Sequence, residues 1–219
     1  VILDVVYNHW GPKGLHDTIG QFDGWFLQGK EGIFFYSDDR SETDFGERPD
    51  YGRGEIRTYI RDNAMMLLDE FRADGLRLDS TVNVRRGRSG QDIGDGFTLL
   101  RFLGEEKRAV SPWKILIAED LQNDDVITRD ALFGGMGLDS QWDPGFLGRI
   151  RDMLFAPTDD VRSASAVAEA IGKTYNGSGP FARVIYTESH DEAKFQRITD
   201  RVAPGDAEGG RGERRRGGG

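Results

Sequence analysis

The stretch "DGLRLDS" at residues 74–80 decides the fold, because its short Leu-rich run ends directly on an acid, Asp79. Two other apolar runs also lead to an acid, "KILIAED" at 114–120 to Glu119 and "ARVIYTESHDE" at 182–192 to Asp191. A fourth run, "VILDVVYNH" at 1–9, ends on Asn8 and His9. Short β-branched or Leu-rich runs separated by helix-like sequence are typical of parallel strands that are buried on both faces. Their alternation with helices predicts an α/β protein with a parallel sheet.

Between these runs, apolar residues recur at the spacing of an α-helix. This spacing predicts helices at 56–72, 96–109, 145–155 and 162–173. A further helix is predicted after Asn123, and a short strand around 138–141. A loop is predicted at 80–95, and the excursion at 10–55 has no regular period. An irregular segment of that length between core elements is usually a functional loop or a small subdomain.

Composition limits the class of protein. The net charge of −9 argues against nucleic acid and anionic membranes as partners. The chain of 219 residues has no cysteine, which excludes disulfides and thiolate metal sites. No apolar run approaches the roughly 20 residues that cross a bilayer, and no signal peptide is visible. We expect a cytoplasmic protein whose natural N-terminus lies upstream of Val1, because Val1 already stands in a strand.

Four motifs carry a family resemblance. In chain order, "DVVYNH", "GLRLDS", "IAED" and "SHD" resemble the signature regions of the α-amylase superfamily (glycoside hydrolase family 13 type). The sequences "DVVYNHWGP" and "IAED" are most similar to the glucan-branching and trehalose-releasing members of that superfamily. The resemblance covers nearly all of residues 1–192. It implies an incomplete (β/α)8 TIM barrel, about strands 3 to 7, with a subdomain inserted after strand 3.

The resemblance also implies a division of the chain. Residues 1–9 form a barrel strand, 10–55 the inserted loop-rich subdomain and 56–200 the barrel βα units. The low-complexity tail at 201–219 is expected to be disordered.

The same resemblance implies the roles of individual residues. Asp79 matches the nucleophile, Glu119 the general acid/base, and Asp191 the acid that stabilises the transition state. His9 and His190 match histidines that bind sugar hydroxyls, and Arg77 orients Asp79. Supporting roles fall to Asp4 and Asn8.

The chemistry of glycosidic bonds explains these residue types independently. One carboxylate attacks and one carboxylic acid protonates the leaving oxygen, about 5–5.5 Å apart in retaining enzymes. Arg77 stands two positions before Asp79 on the same strand face, whereas Glu119 follows an apolar run. Sequence therefore predicts an ionised Asp79 beside the guanidinium and a protonated Glu119 in apolar surroundings.

Aromatic side chains of the excursion offer flat faces for sugar rings. They are Trp10, Trp25, Phe26, Phe34, Phe35 and Tyr36. For calcium, Asn8 is present and Asp38, Asp39 or Asp44 could contribute, but no ligand spacing is recognisable, so we expect no metal and no cofactor.

Three functions remain open. The first is a retaining α-glucan-active enzyme, either a 1,4-α-glucan branching enzyme or an α-amylase-type glycosidase, whose partner is an α-1,4-glucan or malto-oligosaccharide. The second is a catalytically silent carbohydrate-binding fragment or pseudoenzyme, which the absent first, second and eighth strands favour. The third is a sugar-phosphate barrel enzyme, but "TESHDEAKF" offers no Gly-rich phosphate loop.

Overall fold

The described residues form two compact units. The computed structural model describes residues 1–11, 33–175, 179–195 and 198, with only the backbone of 26–27 and 30–31. The first unit comprises residues 1–143 and 174–184, and the second comprises 144–173 and 185–219. The expected disorder of 201–219 falls outside the described residues, as do Trp25 and the side chain of Phe26.

A five-stranded parallel sheet forms the centre of the first unit. Its strands lie side by side in chain order: β1 (Ile2–Val5), β4 (Gly75–Leu78), β5 (Ile115–Ala118), β6 (Ser140–Trp142) and β7 (Arg183–Val184). Between β1 and β4, the two-residue strands β2 (Phe26–Leu27) and β3 (Lys30–Glu31) pair antiparallel. The predicted α/β fold with a parallel sheet is confirmed.

The two faces of this sheet differ in chemistry. Leu76 and Leu78 on β4 are buried in the hydrophobic core, whereas Arg77 between them faces the other side, because strand side chains alternate. The register pairs Asp4 with Arg77, and Arg77 with Ile117. In a parallel sheet, residues in register share a face, so Asp4 and Arg77 lie on one side. The apolar face builds the core, and the opposite face carries the charged residues.

Gly75 is required where β4 enters the sheet. A Cβ atom at this position would lie 2.4 Å from the carbonyl oxygen of Ile115 and 2.9 Å from Cδ1 of Ile2. Any larger residue would therefore push β4 away from both neighbouring strands.

Six helices complete the described fold: α1 (Gly54–Asp69), α2 (Thr81–Arg85), α3 (Gly94–Val110), α4 (Pro144–Leu154), α5 (Ala164–Gly172) and α6 (His190–Phe195). Helix α1 buries Ile56, Ile60 and Ala64 at the predicted four-residue spacing. Phe71, which the pattern assigned to the same helix, is exposed. The chain leaves the helix before it, and Arg72 takes a left-handed φ of 57°.

Two predictions, one for the segment after β5 and one for the segment after β4, need correction. The helix expected after Asn123 is replaced by turns and a 3-10 helix at Ala131–Phe133. Within that segment, Gly134 and Gly137 have φ values of 81° and 69°, which a right-handed helix does not allow. The loop at 80–95, in turn, contains α2.

The described part of the excursion packs into the core. Phe35 and Tyr36 are buried, and Phe34 and Trp10 pack against the same core cluster. Phe35 and Tyr36 therefore serve packing, whereas stacking of sugar rings on the partly buried Phe34 and Trp10 stays a prediction. The buried Arg48 ties the segment down, since its Nε donates to the carbonyl oxygen of Asn83 at 2.7 Å.

The second unit has a small core of its own. Phe146, Ile150 and Ala170 form it, with Met153 and Val167 packed alongside. In neither unit is any described helix long and apolar enough to cross a membrane.

Candidate active site

Arg77 is the centre of the candidate site. Its side chain is only 8% exposed. Nη1 donates to both carboxylate oxygens of Asp4 at 2.7 Å and to Oδ1 of Asp79 at 2.8 Å. Nη2 forms an ion pair with Oε2 of Glu119 at 2.8 Å. Three acids from three neighbouring strands or strand ends therefore meet on one guanidinium.

The electrostatics of this cluster act on Arg77 in opposite directions. Burial works to lower the pKa of the guanidinium, because it disfavours the charged form. The hydrogen bond that Arg77 donates to Asp4 and the charges of Glu119, Asp4 and Asp79 outweigh burial, so the pKa of Arg77 is raised. Arg77 is therefore a permanent cation. Its Cζ also lies 4.5 Å from the ring centroid of Trp142, a cation–π contact.

Asp79 is held through both of its side-chain oxygens. Oδ1 accepts from Arg77, and Oδ2 accepts from Nδ2 of Asn8 at 2.8 Å. The same Nδ2 lies 2.8 Å from the backbone oxygen of Asp79. The carboxylate plane is thus fixed from two sides while its side chain stays 25% exposed.

Glu119 is more deeply buried. Its side chain is 7% exposed, and Oε2 accepts from the backbone N–H of Ser80 at 2.8 Å. The sequence argument separated the two acids by placing Arg77 beside Asp79 alone. In the structure the guanidinium contacts both acids, so that argument is wrong, and burial is what distinguishes them.

His9 joins the cluster through Asn8. Its Nδ1 is hydrogen-bonded to Oδ1 of Asn8, and its ring lies 5.6 Å from that of Phe45. Because Nδ2 of Asn8 donates to Asp79, Oδ1 is the acceptor and His9 Nδ1 carries the hydrogen. Burial lowers the pKa of His9 more than the charge of Asp79 raises it. The neutral ring then presents Nε2 as an acceptor.

The last motif lies in the second unit. His190 and Asp191 open α6, and Nε2 of His190 lies 3.6 Å from Oδ2 of Asp191. Oδ1 of Asp191 accepts from Lys194 Nζ at 2.9 Å. The convergence of Asp191 with Asp79 and Glu119 stays a prediction.

The residues considered for calcium have protein partners. Asp38 binds the guanidinium of Arg40, with Nη2 2.8 Å from Oδ2, and Asp44 faces Arg88 at 3.2 Å. Across the described ranges, no group of three or more acidic or histidine side chains could hold a metal ion.

Comparisons with known proteins agree with the motifs. No family model matches the chain. Over 144 residues it is 35% identical to the malto-oligosyltrehalose trehalohydrolase of Arthrobacter ramosus, covering 65% of this chain and 23% of that protein. It is 27% identical over 167 residues to the 1,4-alpha-glucan branching enzyme of Myxococcus xanthus, covering 67% of this chain and 21% of that protein. A trehalohydrolase of Rhizobium sp. matches 93% of this chain at 27% identity, and 36% of its own length is covered.

Solved structures resemble the fold. The alpha-amylase of Geobacillus thermoleovorans, complexed with acarbose, superposes with a TM-score of 0.52 at 24% identity, covering 77% of this chain and 35% of that one. A structure from Salmonella typhimurium named as an alpha amylase gives a TM-score of 0.59 at 21% identity, covering 88% and 34%. The resemblance to the α-amylase superfamily is confirmed. The chain spans between about a fifth and a third of the curated relatives named above.

Sequence reasoning missed several residues around the superfamily motifs. Trp142, Ser80 and Thr81 contact Arg77 or Glu119, and none was predicted. Trp142 lies on the face of Arg77 because Ser140 pairs with Ile117, the partner of Arg77, and residues two apart on a strand share a face. Only the structure gives this register. The backbone contact of Ser80 had no sequence signal.

Proposed function

We propose that this chain carries the catalytic face of a retaining enzyme that acts on α-1,4-glucans or malto-oligosaccharides. The observation that carries the proposal is the shared guanidinium, since Asp79 and Glu119 each lie 2.8 Å from a terminal nitrogen of Arg77. Retaining glycosidases need two carboxyl groups about 5–5.5 Å apart. Two acids that contact one side chain are held at a spacing that suits this requirement.

Asp79 is the proposed nucleophile. Of the two acids it is the more exposed, and hydrogen bonds from Arg77 and Asn8 aim it. Its oxygen attacks the anomeric carbon as the glycosidic C–O bond breaks, which forms a glycosyl ester. Glu119 gives its proton to the leaving oxygen and then removes a proton from the acceptor. Water as acceptor gives hydrolysis, and a glucan hydroxyl gives branching or another transfer.

The charge of the cluster supports this division of roles. Three carboxylates facing one guanidinium would carry three negative charges against one positive charge. Like charges close together disfavour full ionisation, and a buried charge is the most costly to keep. A proton held on Glu119, the more buried of the two catalytic acids, relieves both costs. Because the acids interact, the titration of this proton is a property of the whole cluster.

The remaining motif residues have proposed binding roles. His9 Nε2 accepts a hydrogen bond from a sugar hydroxyl, because Asn8 fixes the opposite ring nitrogen. His190 binds a neighbouring hydroxyl, and Asp191 is the third acid, which stabilises the transition state. Asp4 and Asn8 support Arg77 and Asp79.

The architecture is proposed on the same basis. The five parallel strands represent about strands 3 to 7 of an incomplete TIM barrel, with the 10–55 subdomain inserted after the third. Residues 1–9 and 56–200 supply the barrel. The proposed compartment is the cytoplasm, and the proposed enzyme needs neither cofactor nor metal.

Paired substitutions test the two catalytic roles. Asp79→Asn should abolish turnover of α-1,4-glucans, since an amide cannot form the ester. Glu119→Gln should abolish it nearly as well. On an activated substrate such as an α-glucosyl fluoride, whose leaving group needs no proton, only Glu119→Gln should recover the first step.

Product analysis on amylose separates the outcomes. A shift in iodine staining with few new reducing ends indicates branching, and many reducing ends indicate hydrolysis. Equal rescue of both variants by the fluoride would mean that the roles are misassigned. Binding of malto-oligosaccharide without turnover of either substrate would favour a silent carbohydrate-binding protein.

A further inference from the structure

A buried polar cluster lies directly behind Glu119 and takes no part in the chemistry above. It consists of Thr81, Arg85 and Asp120, all of which are buried. Nε of Arg85 donates to Oδ2 of Asp120 at 2.9 Å, and Nη2 donates to Oδ1 at 2.6 Å. This is the two-pronged geometry that makes Arg–carboxylate pairs strong and directional. We call Thr81, Arg85 and Asp120 the Asp120 clamp.

The clamp reaches Glu119 through its backbone. The N–H of Thr81 donates to the carbonyl oxygen of Glu119 at 2.8 Å. The Thr81 hydroxyl lies 3.1 Å from that oxygen and 3.0 Å from Oδ2 of Asp120. A hydroxyl has one hydrogen to donate, so it is shared between the catalytic residue and Asp120. The loops that follow β4 and β5 are thereby joined at Glu119.

The clamp also holds a strained turn. Ser80 has a φ of 40°, which is left-handed and costly for a residue with a side chain. Its N–H donates to the Glu119 carboxylate at 2.8 Å. Thr81 follows Ser80 directly, so fixing Thr81 to Asp120 keeps the Ser80 amide pointed at that carboxylate. A strained conformation persists only when its surroundings enforce it.

We infer that Thr81, Arg85 and Asp120 are positioning residues that hold the Glu119 carboxyl group in the orientation needed for proton transfer. A buried Arg–Asp pair alone would be an ordinary contribution to the fold. The link from Asp120 through one hydroxyl to the backbone of Glu119, next to the amide that binds its carboxylate, gives this pair a specific target. The inference rests on the proposed function for its catalytic meaning, while the clamp itself can be tested without turnover.

Hydrogen exchange of backbone amides, followed by NMR on the purified chain, tests the clamp directly. In Asp120→Asn, the amides of Ser80 and Thr81 should exchange at least about tenfold faster, while amides inside α1 change by less than roughly threefold. Asp143→Asn is the matched control, because Asp143 is equally buried and is bonded to the buried Arg183. It should leave the Ser80 and Thr81 amides at the wild-type rate.

Thr81→Val provides a milder variant if Asp120→Asn does not fold. It removes only the shared hydroxyl and should accelerate the Ser80 amide, while Thr81→Ser, which keeps the hydroxyl, should not. Uniform acceleration of exchange across all amides would mean that the clamp only stabilises the fold, and it would overturn the positioning role. Unchanged exchange at Ser80 would overturn the inference.

Kinetics add the catalytic readout. Thr81→Val should lower turnover of natural glucans at least about tenfold more than turnover of the α-glucosyl fluoride, a weaker form of the Glu119→Gln signature. Equal losses on both substrates would argue against a positioning role. Absence of turnover in the wild type would refute the proposed function, and the exchange data would still decide the clamp.

Discussion

Two regions of the chain place an acid beside a histidine, and they are held in different ways. Asp79 is bound by Arg77 and by Asn8, which is 71 residues away in sequence. Asp191 is bound by Lys194, three residues along the same short helix. The side chain of Asp191 is 48% exposed, against 25% for Asp79. Asp79 thus has a partner from a distant segment, Asn8, whereas the contact between Asp191 and Lys194 is local to one helix.

The largest loss of stability is expected when Arg77, the centre of the cluster, is replaced. Arg77→Met should reduce the free energy of unfolding by about 3 kcal/mol, since it leaves the buried Glu119 without its cation. Chemical denaturation at pH 7 measures this loss. Arg53→Met is the control, because the Arg53–Asp50 pair is exposed on the Arg side, and it should cost no more than about 0.5 kcal/mol. Equal losses in the two variants would mean that the Arg77 cluster contributes no more to stability than an exposed ion pair does.

A like charge beside Asp79 should have the next largest effect. Asn8→Asp replaces the donor 2.8 Å from Oδ2 of Asp79 with a carboxylate. We expect a loss of about 2 kcal/mol at pH 7 from repulsion and the lost hydrogen bond. The loss should shrink as the pH falls and one acid is protonated, which thermal unfolding at pH 7 and pH 5 would record.

The matching change in the other region should be nearly silent. Lys194→Met removes the exposed partner of Asp191 and should change stability by less than about 0.5 kcal/mol. A loss as large as that of Asn8→Asp would show that the α6 segment is as strongly held as the sheet face.

The smallest expected effect concerns the pH dependence of stability. Because burial lowers the pKa of His9, the unfolded chain binds more protons than the folded chain just below pH 6.5. Stability should therefore rise with pH as the solution passes through that range. His9→Gln should flatten this slope in urea titrations between pH 5 and pH 7. A steeper slope in the variant would show that the sign is reversed.

Much of the fold was predictable from the sequence for identifiable reasons. β4 and β5 follow from short apolar runs, interrupted only by Arg77 in β4, and α1 follows from Ile56, Ile60 and Ala64 at helical spacing. The main failure lies after Asn123, where turns replace the expected helix. Gly134 and Gly137 take left-handed φ values there, and the Asp130 side chain accepts from the N–H of Leu132 at the start of a short 3-10 helix. Glycine adopts left-handed φ values readily, but whether it does so depends on the contacts around it.

By itself, the sequence determined which acids follow the strands and which residues of one strand share a face. Arg77 and Asp79 share a face because strand side chains alternate with a period of two. Only the tertiary structure decided the contacts: Arg77 binds both catalytic candidates instead of one, and Asp120 ties the two loops together. Alternation is a local property of the backbone. Which carboxylate a guanidinium reaches depends on strand register and burial, which arise only when distant segments pack.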